Sequence, residues 1–320
     1  MIAAIAAIAG RERGRILLGI GDDAAVWQPS RSARSVITTD ALIEDVHFSR
    51  ATMSMEEIGW RAMAANVSDV AAMGARPVLA TIALGIQAHD AASVRELYRG
   101  LVACAETAGC AIAGGDLTRA PVLTLAITVV GEVRPSNVKT RSGARPGDVL
   151  AVTGPLGASR AGLALLRSEI TLEESPAAEA LAAHRTPVPR VAEGRWLGAS
   201  RNVHAMMDCS DGLSTDLARL CAASGVGARI TAVPVARSAV AAAGRLGEDP
   251  VAFALAGGED FELLVAIAAR AFTYLSKRYR ERFGRTLERV GTIQADRRLT
   301  LVKNGHDESL LRAGWDHFEV

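Results

Sequence analysis

The sequence predicts a mixed α/β protein (α+β) of two domains, and three observations lead there. The chain has 320 residues, more than one typical domain holds. Apolar alternation of period two takes turns with stripes of helical period along its whole length. A polar, proline- and glycine-rich stretch interrupts this pattern, with Arg134-Pro135-Ser136 followed by Arg141-Ser142-Gly143-Ala144-Arg145-Pro146-Gly147. The boundary falls in it, so residues 1–140 form an N-terminal domain and 141–320 a C-terminal one.

Residues 16–20 and 35–39 read as short strands running into polar turns. Ser54 opens a helix with Glu57 three residues on, the spacing of a capping box. Ile58, Ala62, Ala65, Val70 and Met73 line its apolar side, and Gly74 stops it ahead of Pro77. Residues 78–86 read as a strand, 93–108 as a helix capped by Gly109, and 121–133 as a long strand with two unlike faces. In the second half, strands are expected near Val149, Val203, Ile230, Leu263 and Val290. Helices are expected over 161–166, 188–197 and 214–223.

Composition excludes several classes. Thirty-six basic against 35 acidic side chains leave a net charge of +1, so no overall field draws the chain to nucleic acid or an anionic membrane. Aromatics at 4% are too few for rows of base-stacking platforms. No apolar run reaches the roughly 18 residues of a membrane span. The apolar opening, residues 1–10, meets charges at once and lacks a basic lead, unlike a secretory signal. Cys104, Cys110, Cys209 and Cys221 show neither CxxC spacing nor histidine partners, which reads as buried free thiols in a cytoplasmic protein.

The chemistry sits on aspartates expected where strands end. These are Gly21-Asp22-Asp23, Thr38-Thr39-Asp40, Gly114-Gly115-Asp116 and Asp208-Cys209-Ser210-Asp211-Gly212, and the helix from Ser54 adds Asn66 and Asp69 on one face. Two carboxylates about 4 Å apart repel by roughly 4 kcal/mol at an effective dielectric of 20, so several together need protons or cations. Hard oxygen donors without paired histidines suit Mg²⁺, which completes its shell with water and phosphate. Each residue also has a plainer reading. A lone Gly-Asp pair is usually a turn, Asp208 and Asp211 could cap the helix at Leu213, and Trp315 could simply fill the core. Thr140-Arg141-Ser142-Gly143 offers a guanidinium on a flexible loop, and residues 256–262 set acids beside two glycines. GxxxxGK[ST] is absent, which excludes a P-loop.

Taken in order, these motifs, with Val46-His47-Phe48, Gly257-Gly258-Glu259-Asp260 and Gly314-Trp315-Asp316-His317-Phe318, resemble the thiamine-monophosphate kinase family. The wider superfamily is similar to aminoimidazole ribonucleotide synthetase. The resemblance spans essentially the whole chain. It implies an N-terminal half that completes a β-barrel with its twin in a homodimer, and a C-terminal α/β layer domain that completes the active site. It implies that Asp23, Thr38, Thr39, Asp40, Asp69, Asp116, Asp208 and Asp211 hold several Mg²⁺ ions, with Asp40, Asp116 and Asp211 closest to the chemistry. Gly115, Asp116, Arg141 and Ser210 would contact ATP, and His47, Glu259 and Trp315 the thiamine monophosphate. The implied reaction is phosphoryl transfer from ATP to thiamine monophosphate, the last step to thiamine diphosphate. One departure is the alanine- and isoleucine-rich opening, where family members carry an acidic-aromatic segment.

Two other classes of function compete. A cyclo-ligase or selenophosphate synthetase would share the aspartates, although the latter wants a reactive cysteine near the N-terminus and none precedes Cys104. A non-catalytic nucleotide-binding regulator would have no need for so many mutually repelling carboxylates.

Overall fold

Two units, Met1–Val138 and Lys139–Val320, make up the computed structural model, which describes residues 1–10, 15–21, 24–87 and 91–315. The first unit runs α1 (Ile2–Ala9), β1 (Ile16–Leu18), β2 (Val26–Trp27), β3 (Arg34–Ile43), α2 (Met55–Ala72), β4 (Arg76–Ile86), α3 (Ala91–Ala108), β5 (Ala111–Arg119) and β6 (Thr124–Val133). The expected capping box forms at α2: the Glu57 amide donates to Ser54 Oγ at 3.2 Å, and the Ser54 amide to Glu57 Oε2 at 2.8 Å. Gly59 and Gly100 let α2 and α3 touch main chain to main chain. A Cβ on Gly59 would collide with the Leu97 carbonyl oxygen, and one on Gly100 with that of Glu56.

Among the described residues β3, β6, β4 and β5 form a sheet in that order, antiparallel except for β4 with β5. The two unlike faces expected of the long strand are there. Leu125, Ile127 and Val129 of β6 are fully buried, while Thr124, Ala126, Thr128 and Val130 are only half-buried. On β3 the second face lies open, and Ile37 is 68% exposed. The expected barrel is not closed within this chain. Among the described residues four strands leave β3 and β5 at the edges, and closing a barrel of packed side chains takes about eight.

The second unit runs β7 (Val149–Val152), α4 (Ala158–Leu166), α5 (Glu174–Arg185), α6 (Val191–Gly198), β8 (Val203–Asp208), α7 (Leu213–Ser224), β9 (Gly227–Ile230), α8 (Arg237–Leu246), α9 (Pro250–Ala256), β10 (Leu263–Ile267), α10 (Ala269–Phe283), β11 (Glu288–Gln294), β12 (Leu299–Lys303) and β13 (His306–Ser309). The strands join in the order β13-β12-β9-β11-β7-β10-β8. Every residue of β7 and β10 is buried, as befits central strands covered on both faces. Leu213, Leu217, Leu220 and Cys221 of α7 pack with Leu150, Val152, Met207 and Leu264 of the sheet. Trp196 meets Tyr279 and Phe283 edge to face and so joins α6 to α10. All five strands expected in this half are present. The helix expected over 188–197 starts later, at Val191, because Pro187 and Pro189 keep the preceding chain extended.

Candidate active site

In the first unit, β3 and α2 bring four polar residues together. Asn66 and Asp69, one helical turn apart, both reach β3: Thr38 Oγ1 donates to Asp69 Oδ2 at 2.5 Å, and the Asp40 amide to Asn66 Oδ1 at 3.0 Å. Asn66 is fixed in turn by its Nδ2, which donates to the Ala62 carbonyl oxygen at 3.0 Å. Thr39 points to the other face, where its hydroxyl donates to the Ile127 carbonyl oxygen and accepts from Thr128 Oγ1, both at 3.1 Å.

Asp116 lies elsewhere. Asp40 is opposite Ile127, Ile127 opposite Ile82, and Ile82 opposite Gly115, so Asp40 and residues 115–116 sit on the two edge strands. Three strand spacings separate them, about 14 Å. Asp116 pairs with Ala83 and shares the open face, whereas Asp40 and Thr38 face α2. The expectation that these acids end their strands is therefore corrected. Asp40 and Asp116 are mid-strand, because threonines and small residues continue the ladder on both sides, and only Asp208 closes its strand. Asp23 lies outside the described residues. The backbone amide of Ile43 donates to His47 Nδ1 at 3.1 Å, which places the proton of the neutral ring on Nε2.

In the second unit, β8 and β10 continue their pairing past their ends. Cys209 donates to the Glu262 carbonyl oxygen at 2.7 Å, Phe261 to that of Cys209 at 2.9 Å, and Glu259 to that of Ser210 at 2.7 Å. The C-terminal tail crosses the same loop. The amides of Ala313, Gly314 and Trp315 donate in succession to Ser214 Oγ, Thr215 Oγ1 and the Asp211 carbonyl oxygen. Asp208, Ser210, Asp211, Glu259 and Trp315 are thereby gathered at one place, and Trp315 is half exposed rather than filling the core. The Arg141 segment runs beside β8: the Met206 amide, two residues before Asp208, donates to the Thr140 carbonyl oxygen at 3.0 Å, and Ser224 Oγ donates to the Arg141 carbonyl oxygen at 2.8 Å.

The helix-capping reading of Asp208 and Asp211 is overturned. Gly212 is the N-cap and α7 carries no side-chain cap, while the Asp211 carboxylate pairs with Arg219. Asp216, fully buried, accepts from the Asp211 amide at 3.0 Å and from Arg219 Nη1 at 3.2 Å. Burial first, then the neighbouring Asp211 charge, pushes its carboxyl up to about 7. The thiol of Cys209 is raised well above its ordinary value by complete burial, so this residue packs and does not react.

Behind the loop, Glu262 accepts from Thr153 Oγ1 at 2.6 Å, from Arg190 at 2.7 and 3.0 Å, and from Arg285 at 2.6 Å. Asp260 accepts from the Gly157 and Ser159 amides at the start of α4, at 2.7 and 3.3 Å. Glu259 and Phe261 on either side of it both adopt positive φ, 63° and 50°. Sequence reasoning missed Asp216, Arg219, Arg190 and Arg285. An acid five residues beyond Asp211, in the first turn of the following helix, was the available signal for Asp216; the arginines gave none.

Burial raises the Asp260 carboxyl from 3.8 to about 7 despite its two amide donors. Between those values the folded chain keeps a proton that the unfolded chain has released, so stability falls as pH rises through this window. Asp260→Asn should therefore flatten the decline in melting temperature between pH 5 and pH 7.5. A variant melting with the wild-type slope would assign the decline to another group.

The donors in both units are hard oxygens, which fits Mg²⁺. Among the described residues no three His, Cys, Asp or Glu side chains come within reach of one ion. Mg²⁺ is commonly held by one or two carboxylates with water and substrate phosphate rather than by an all-protein cage.

Comparison with known proteins gives a consistent result. The family described as AIR synthase related protein, N-terminal domain, matches residues 21–133, and its C-terminal domain matches residues 145–304. A thiamine-monophosphate kinase of Synechococcus elongatus is 42% identical over 254 residues, 78% of this chain and 76% of that one. The crystal structure of thiamine-monophosphate kinase from Stenotrophomonas maltophilia superposes with a TM-score of 0.85 at 34% identity, covering 96% of each chain. AaThiL complexed with AMPPCP and TMP superposes with a TM-score of 0.78 at 30% identity, over 93% of this chain and 92% of that one.

Proposed function

This chain belongs to the thiamine-monophosphate kinase family, and from that membership we propose that it transfers the γ-phosphoryl group of ATP to thiamine monophosphate, giving thiamine diphosphate and ADP. The observation that carries the reading is the likeness, over nearly the whole chain, to AaThiL in complex with AMPPCP and TMP. The acceptor is a phosphate monoester with a second pKa near 6, largely ionised at neutral pH, so no general base is required. The task is to hold two anions in line and neutralise the charge between them, which several Mg²⁺ ions supply when bound.

The residues divide that task. Thr38, Asp40 and Asp69, set by Asn66, together with Asp23, Thr39, Asp116, Asp208 and Asp211, would be the metal-holding set. Gly115, Arg141 and Ser210 would meet the nucleotide. Glu259 and Trp315, held against the Asp211 loop by backbone hydrogen bonds, would position the thiamine phosphate together with His47. The indole gives the cationic thiazolium a π-face.

A homodimer is part of the reading. The open face of the N-terminal sheet exposes Ile37, and Leu17, Leu18 and Val26 of the β1–β2 pair are exposed as well, an apolar surface that a second copy would cover. In the assay, full-length protein with Mg²⁺, ATP and thiamine monophosphate should release equal amounts of ADP and thiamine diphosphate. ADP release without thiamine diphosphate, or no turnover with excess Mg²⁺, would refute the assignment.

A further inference from the structure

Arg219 stands on the second turn of α7, where its Nη1 donates to Asp211 Oδ2 and, at 3.2 Å, to Asp216 Oδ1. Asp216 is fully buried and reaches back to the Asp211 amide, so it is fixed in place. The guanidinium side chain, by contrast, is 38% exposed, and that of Asp211 26%. One cation thus bridges a buried, immobile carboxylate and a more accessible one. The accessible one belongs to the loop that also carries Asp208, Ser210 and the Trp315 contact.

The geometry points to Arg219 as a resident counter-cation that competes with a divalent ion for the Asp211 carboxylate and so sets the affinity of that position. The inference rests on the reading of Asp211 as a metal ligand. A guanidinium on Asp211 Oδ2 occupies a lone-pair direction that an ion would use, and its positive charge opposes the approach of a second cation. Its anchor on Asp216 keeps it within reach whenever Asp211 is exposed. Arg219 acts through Asp211 in this scheme and is a positioning residue.

Calorimetric titration of the full-length protein with Mn²⁺ alone, without nucleotide, tests this. Asp211→Asn identifies the relevant class of sites as the one it weakens. For that class Arg219→Gln should bind about fivefold more tightly than wild type, and Arg219→Lys, which restores the charge, should return towards wild-type affinity. Equal or weaker Mn²⁺ binding by Arg219→Gln, with Asp211→Asn still weakened, would overturn the counter-cation role and leave the metal reading standing. Unchanged binding by Asp211→Asn would remove the metal reading itself. Should Arg219→Gln melt below the assay temperature, the comparison is made in the Asp216→Asn background. There the buried charge is gone, and adding Arg219→Gln should again tighten binding; no tightening overturns the proposal.

Discussion

Glu262→Ala is expected to unfold the C-terminal unit under conditions where the wild-type protein is stable. The Glu262 carboxylate is 4% exposed and sits between Arg190, 14% exposed, and Arg285, 32% exposed, with Thr153 Oγ1 on the same oxygen as Arg190 Nε. Removing it leaves a buried guanidinium facing another one, and breaking such a buried pair from one side costs about 3–5 kcal/mol. That is a large part of the 5–15 kcal/mol typical of a domain. Urea denaturation followed by circular dichroism would measure it. The Thr153 hydroxyl also donates to this carboxylate while accepting from the Leu263 amide, so β7 and β10 should loosen together. A loss below about 1 kcal/mol would mean that the arginines find water or other acceptors when the carboxylate is gone.

The second large effect is catalytic. Asp116→Asn should lower kcat by about 100- to 1000-fold, the usual cost of losing one charge-stabilising group at a phosphoryl- or acyl-transfer site. The melting temperature should stay within about 2 °C, since exposed substitutions usually change stability by less than 0.5 kcal/mol. Asp116 is exposed on an edge strand, and an amide of the same shape preserves the ladder with Ala83. Steady-state turnover alongside a thermal melt separates the two readouts. Full activity in the variant would remove Asp116 from the chemistry.

Much of this molecule was legible in its sequence where the signal is local. The capping box at Ser54 needs only residues three apart, and the central strands of the second unit read directly as runs of valine, leucine and isoleucine. The aspartate motifs were legible as a set because glycine, threonine and serine flank them. Long-range partners were not. Nothing in the residues around Glu262 indicates that Arg190 and Arg285, 72 and 23 positions away, will close on it. The alanine-rich helices α5 and α8 were missed for a related reason. Their packing faces are alanines, Ala180 against Ala239, Ala242 and Ala243, and such small residues give no apolar stripe. The mistaken placement of Asp116 at a strand end follows from a sheet with one open face, where a polar residue can sit mid-strand without penalty; Asp40 faces α2 but stays exposed because its strand is at the edge of the sheet.

The contact of α2 with α3 through Gly59 and Gly100 bears on how the N-terminal unit can move. At these two points no side chain lies between the helices, so their separation there is set by main-chain atoms and cannot adjust by rotamer changes. Asn66 and Asp69 ride on that close-packed pair, so an opening that admits or releases a nucleotide is expected to move loops more than these helices. Random mutagenesis that leaves both glycines intact should therefore shift substrate preference far more readily than it displaces these two side chains.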